Sequence, residues 1–285
     1  MMIAAAFAEF WRLQGYRVIR TKSCFWYNIR PLVFMALPFH RRVTPSRGES
    51  LRVLMGGPSI AIRFLNPAGA DGGLFICSNR AYDLPALEKK ARNQTRRGLE
   101  NCRIEQLDFA YLAEHGARLN EETCGRQSRN PHAVVGDAWR RYCEAASQVA
   151  DFEAWGAFVD GSLGAFIVAA LIEDHFSILH QSSATCMLPR YPNNALTFTV
   201  TKLKMSCPQV ACVSYGLKSP DPRARGTEEF KLNMGFELQP LGDSVVFNPL
   251  LKPFLWGKAI RWMALRHPES DFWRRASGVL RDAQV

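Results

Sequence analysis

Apolar residues dominate three consecutive stretches near the middle of the chain, Glu153–Val159, Ser162–Ile172 and His175–Gln181. Only Asp160-Gly161 and Glu173-Asp174 separate them. Asp-Gly is a tight-hairpin signal, so the pattern predicts an antiparallel meander. On either side the apolar period lengthens. Ala138–Val149 sets Trp139, Tyr142, Cys143 and Ala146 on one stripe, and Asn193–Met205 does the same with Leu196, Val200 and Leu203. Both read as amphipathic helices, the second capped by Asn193 or Asn194.

The stretch Val210–Leu238 reads as strand, loop, helix, strand. Val210, Cys212 and Val213 run into Tyr215-Gly216, and a polar loop with two prolines cannot continue the strand. Thr227 is the expected helix cap before Glu228 and Glu229, Gly235 ends the helix, and Phe236 opens a strand. A final strand is expected around Ser244–Phe247. The first part of the chain predicts a helix over Ala4–Tyr16, strands over Arg17–Asn28 and Leu32–Phe39, and a short helix over Glu49–Met55 stopped by Gly56-Gly57-Pro58. Strands Ile60–Leu65 and Leu74–Cys77 flank a glycine-rich turn, Gly69–Gly73. That cluster lacks a following Gly-Lys-Ser/Thr and joins two strands, so it is not a phosphate loop. Leu84–Cys102 is helical and basic, Ile104–Phe109 a strand, and Leu107–Glu122 passes into a helix. The class is α/β.

Two parts of this pattern resemble the GNAT-like acyltransferases, particularly their BioF2-like and FemAB-like branch. One is the strand–Tyr-Gly–loop–helix run, through Gly216, Phe230, Lys231, Gly235 and Phe236; the other is a basic helix, through Arg92, Arg96, Arg97 and Gly98. The resemblance covers roughly Tyr82–Asn248 and is best from Phe152 onward. It implies a mixed, mostly antiparallel central sheet flanked by helices. It divides the chain into a partial N-terminal lobe (1–81), an acyltransferase domain (82–249) and a C-terminal tail (250–285).

The same resemblance implies an N-acyltransferase that moves an acyl or aminoacyl group from a thioester or ester donor to an amine acceptor. The donor would be acetyl-CoA or another acyl-CoA, with aminoacyl-tRNA as the alternative, and no metal takes part. In such enzymes the anionic donor group rests on the helix after the central strands, where free N–H groups and the helix dipole bind it. Here that places Arg190, Asn193 and Asn194 at the donor, with Lys231 as a further cation. The family's glycine-bearing loop is missing, and Pro192-Asn193-Asn194 stands in its place. A ligand-binding module of the same fold without catalysis is therefore the rival reading.

Acyl transfer to an amine needs a base, oxyanion donors and an acid for the leaving group. Glu173, Asp174, His175 and His180 are the candidate bases, and Tyr215 the candidate acid or binding residue. Each has a structural alternative: Glu173-Asp174 as a turn, His180 as a core histidine, Tyr215 as a loop anchor. Arg92 and Arg96 lie one turn apart on one helix face and are candidate cleft residues for substrate. Lys231 and these arginines read equally as solvated helix cations.

The formal charge of +10 fits an anionic ligand, nucleic acid or membrane surface without choosing among them. RNA binding rests on charge alone, because the basic helix carries no interleaved aromatics. The eight cysteines show no C-x-x-C pair and read as buried thiols of a reducing cytosol, not a zinc site. No apolar run reaches the length of a spanning helix. The tail alternates Leu255, Trp262 and Leu265 with Lys258, Arg261 and Arg266, so it either packs back through its tryptophans or makes a peripheral membrane contact.

Overall fold

A computed structural model describes residues 2–30, 32–68, 72–129, 131–219 and 224–251. In chain order the elements begin α1 (Ala4–Leu13), β1 (Val18–Arg20), β2 (Phe25–Arg30), β3 (Val33–Leu37), α2 (Arg47–Met55), β4 (Ala61–Asn66) and β5 (Gly72–Cys77). Then come α3 (Lys89–Asn101), β6 (Arg103–Leu107), α4 (Phe109–Arg126), α5 (Gly136–Gln148), β7 (Phe152–Val159), β8 (Ser162–Ile172) and β9 (His175–Ser183). The last four are α6 (Pro192–Met205), β10 (Cys212–Leu217), α7 (Arg225–Asn233) and β11 (Glu237–Phe247). The tail expected to pack back or touch a membrane lies, from residue 252, outside the described residues, as does the middle of the Gly69–Gly73 turn.

The chain forms two compact units. One comprises Met1–Gly15, Phe75–Gly216 and Gly226–Gln239; the other Tyr16–Leu74, Leu217–Arg225 and the chain from Pro240. In the first unit the strand order is β5-β10-β9-β8-β7-β6. The pairs β6–β7, β7–β8 and β8–β9 are antiparallel, and β9–β10 is parallel. Asp160 and Gly161 take φ of 49° and 80°, the left-handed pair that a two-residue hairpin requires, and Glu173 turns the second hairpin at 58°. Successive strand residues face opposite ways. On β8, Ala165, Ile167 and Ala169 therefore pack with Leu196 and Val200 of α6 and Ala91 of α3, while Phe166 meets Trp139 of α5. Helices cover both faces.

In the second unit β1–β2 and β2–β3 are antiparallel, β3–β4 is parallel, and Gly242–Phe247 of β11 pairs antiparallel with Asn66–Ala61 of β4. Trp26, Phe34, Val53, Leu54 and Ile62 form its core. Ser46 caps α2 in a reciprocal capping box with Glu49. Beside the core, the Arg63 guanidinium holds the Asp243 carboxylate.

Several element boundaries differ from expectation. The single strand expected over Arg17–Asn28 is a hairpin, because the polar Thr21–Ser23 segment turns and the Ser23 N–H is taken by the Glu49 carboxylate at 2.7 Å. Pro85 confines the start of the expected Leu84–Cys102 helix to one 3-10 turn, and α3 begins only at Lys89. Helix α7 starts at Arg225, ahead of the expected Thr227 cap. The strands expected after Phe236 and near Ser244 are one strand, β11.

Candidate active site

Three parallel pairs, ending at Ser214–Ser177, join β10 to β9. Beyond them the two strands are linked by side chains. The Tyr215 hydroxyl of β10 bonds to Oε1 of Gln181 on β9. Gln181 Nε2 donates to Asn193 Oδ1 at 3.0 Å and to Thr197 Oγ1 at 3.3 Å, both on α6. One residue pair before Gln181, the β8–β9 register shifts, leaving Leu179 as an unpaired bulge.

Helix α6 begins here without a side-chain cap. Its N-cap is Tyr191, in the left-handed conformation at φ 58°, followed by Pro192 at the first turn. The expected Asn193 and Asn194 caps are not formed, because each amide has another partner. Asn193 Nδ2 donates to Ser183 Oγ at 2.9 Å, and the buried Asn194 amide lies 3.5 Å from the Met234 sulfur. The first turn therefore receives no side-chain cap, and no acidic residue lies in it.

Tyr191 is held by α3. Gly98 approaches so closely that a Cβ there would lie 2.6 Å from the Tyr191 carbonyl oxygen. Arg97 of the same helix stacks over the Tyr191 ring at 5.1 Å. The glycine of the basic-helix motif thus serves a backbone-to-backbone contact. Gly98→Ala is expected to cost about 1–3 kcal/mol through overpacking. Gly125→Ala, in open space on α4, is expected to stabilise by up to about 1 kcal/mol. Thermal melts of the two variants check the pair.

Lys231 lies on the other side of Tyr215. Helix α7 carries it inward until it is only 8% exposed. Its Nζ sits 4.6 Å from the Phe75 ring centroid and 5.0 Å from that of Tyr215. Among the described residues no hydrogen bond or salt bridge reaches Nζ. Burial lowers its pKa to about 8, with Glu228 opposing and Arg129 reinforcing the shift. Burial likewise raises the Tyr215 phenol, which stays protonated. Gly235, just after α7, takes φ +80°, and a Cβ there would lie 2.9 Å from the Ala86 carbonyl oxygen.

The other residues singled out in the sequence fall elsewhere. His180 is next to Gln181 and therefore on the opposite face of β9. It is enclosed by the rings of Trp139, Phe166 and Tyr142, with Nε2 2.7 Å from Asn120 Oδ1. Burial lowers its pKa to about 4, so it is neutral at pH 7. His175 opens the far end of β9, about 20 Å from Gln181 along the strand, and Glu173 and Asp174 form the turn before it. Arg92 folds back onto the carbonyls of Leu84, Pro85 and Leu87 at 3.0–3.2 Å, and Arg96 is exposed. Arg190 is exposed next to the α6 start, 3.3 Å from Asn101 Oδ1. Tyr215, Lys231, Asn193 and Asn194 are thus brought to one end of the sheet with Arg190 beside them; Glu173, His180, Arg92 and Arg96 are not part of that group.

Gln181, Thr197, Ser183 and Arg126 complete the network without having been singled out. The available signal was the run Gln181-Ser182-Ser183, three polar residues closing an otherwise apolar strand.

Comparison with solved structures bears on the fold. FemX matches over 88% of this chain and 93% of its own, with a TM-score of 0.62 at 13% identity. The chain shares the fold of FemX. The C-terminal domain of a proposed lysylphosphatidylglycerol synthetase from Agrobacterium fabrum matches with a TM-score of 0.57 at 12% identity, over 85% of this chain and 87% of that one. A protein of unknown function from Bacteroides thetaiotaomicron matches at 0.54 and 12%, over 86% and 90%. No family model and no curated protein matches the sequence.

Proposed function

We propose that this protein is an N-acyltransferase that moves an acyl or aminoacyl group from a thioester or ester donor to an amine. One observation carries the reading: a buried lysine to which, among the described residues, no carboxylate is bonded, set against Tyr215 where the β9–β10 ladder ends. Holding an unpaired ammonium out of water is costly, and a structural role would be filled better by an apolar side chain. An ammonium in that place serves an anion that arrives only with the ligand. The oxyanion of a tetrahedral intermediate is such a charge, and a preorganised cation in a dry site stabilises it strongly. Arg190 and the uncapped start of α6 would take the anionic part of the donor. The fold shared with FemX agrees with this chemistry.

The test is calorimetric titration of the full chain with acetyl-CoA, a longer acyl-CoA and an aminoacyl-tRNA, followed by mass detection of transfer to a primary amine. Arg190→Ala is expected to weaken binding of the productive donor by about 1–3 kcal/mol. Binding of none of the three donors would overturn the transfer reading. Binding without transfer would make the protein a ligand-binding module. Among the described residues no helix is long and apolar enough to cross a membrane.

A further inference from the structure

Lys231 has a second chemistry that the role of a fixed cation does not use. Gly216, the residue of β10 after Tyr215, is exposed and takes φ +74°. Among the described residues, a Cβ built on it would meet one atom within 4 Å, the Lys231 Nζ at 3.7 Å. On that side the amine is covered by bare backbone, with open space where a side chain would stand. The Phe75 and Tyr215 rings flank it elsewhere. Among the described residues no hydrogen bond or ion pair ties Nζ down. The charged and titratable groups acting on it are Glu228 of its own helix, Arg129 after α4 and the protonated Tyr215 phenol of β10; β5 presents Phe75. Burial outweighs Glu228, so about one amine in ten is neutral at pH 7 and about half at pH 8. A neutral, desolvated lysine is a nucleophile. A carbonyl oxygen drawn to this nitrogen sets the carbonyl carbon beside it.

We propose that Lys231 is itself an acyl acceptor, reached past Gly216: with no amine in the site, the donor passes its acyl group to Nζ and the protein is left inactive. The Nζ lone pair forms the bond to the carbonyl carbon, and the C–S or C–O bond breaks. The departing thiolate or alkoxide takes the proton that the nitrogen sheds. The product is a neutral amide, which is neither a nucleophile nor a cation for an oxyanion. Acylation by the donor rests on the acyl-transfer reading; reactivity of Nζ toward a simple ester does not.

The experiment has two arms on the full chain, both read by peptide mass mapping. In the first, 4-nitrophenyl acetate is the probe. At pH 8 Lys231 is expected to be acetylated at least tenfold faster than the exposed Lys89 and Lys90, with a rate that levels off above about pH 9. Gly216→Asn keeps a residue that tolerates positive φ and sets a side chain over Nζ. It is expected to slow Lys231 tenfold or more, leave Lys89 unchanged and keep the midpoint near pH 8, which an unfolded variant would lose. Labelling of Lys231 no faster than Lys89, or undiminished in Gly216→Asn, would overturn the proposal. In the second arm the protein is held with acetyl-CoA, a longer acyl-CoA or an aminoacyl-tRNA, with and without butylamine. One of the three is expected to add a single acyl group at Lys231, more slowly when butylamine is present, and transfer should fall in step with the gain in mass. Transfer to butylamine with none to Lys231 would overturn the proposal alone. Acetylation by the simple ester with no transfer from any of the three donors, to butylamine or to Lys231, would overturn the proposal and the acyl-transfer reading together.

Discussion

Lys231→Met is expected to make the protein more stable and to abolish transfer. The ammonium is buried against Phe75 and Tyr215 and its pKa falls from 10.5 to about 8. Between those values the unfolded chain holds a proton that the folded chain has released, so stability rises with pH across that window. Below pH 8 both states are protonated and the full cost remains, on the order of 3 kcal/mol. Methionine has similar length, no charge and a taste for irregular apolar gaps. The variant should therefore exceed the unmodified protein by up to about 3 kcal/mol at pH 7, and the gap should close by about pH 10.5. Urea titrations at pH 7, 8.5 and 10 measure it. Where Lys231 must be charged, transfer should fall as pH rises through about 8. A Lys231→Met variant that is less stable at pH 7, or that retains transfer, would place the function of this lysine elsewhere.

The second large effect is expected at His180, in acid. Its pKa is lowered from 6.5 to about 4 by burial among Trp139, Phe166 and Tyr142. Between pH 6.5 and 4 the unfolded chain gains a proton that the folded chain refuses. Stability contributed by the neutral ring is complete above pH 6.5 and is lost as pH falls through 4, by at most about 3 kcal/mol. His180→Phe keeps a ring in the cage and removes the titration. It also strands Asn120 Oδ1, whose side chain is fully buried, at a cost of about 1–3 kcal/mol. The expected result is a variant less stable at pH 7 with a flatter slope between pH 6.5 and 4. The same slope in both proteins would show that other groups govern the acid response.

The contrast between these two residues shows what was legible in the sequence. The meander was readable because its signals are local: Asp160-Gly161 can turn a hairpin alone, and β8 alternates between two cores. The resemblance carried by Phe230, Lys231 and Gly235 pointed to the right fold. The sequence left open whether Lys231 was solvated or inward, because that depends on Phe75 and Tyr215, which only the folded sheet brings to it. The start of α6 was misread for a different reason. Asparagine is a common cap, and a left-handed tyrosine before proline is not, but Gly98 and Arg97 on a distant helix fix Tyr191 there. Arg92 carries no sign that its guanidinium would be used on three carbonyls of the preceding turn.

The path of the chain between its two compact units has a consequence for heredity. Each unit is assembled from separate segments, and the second receives β11 only from the chain after Pro240. No single cut in the gene divides the protein into two whole units. A stop codon just before Pro240 would spare every segment of the first unit and still strip β4 of the strand paired along its length. A nonsense mutation ahead of Pro240 should therefore damage the second unit although most of the chain is made, and an exchange of either unit between relatives would have to splice the chain at several points together.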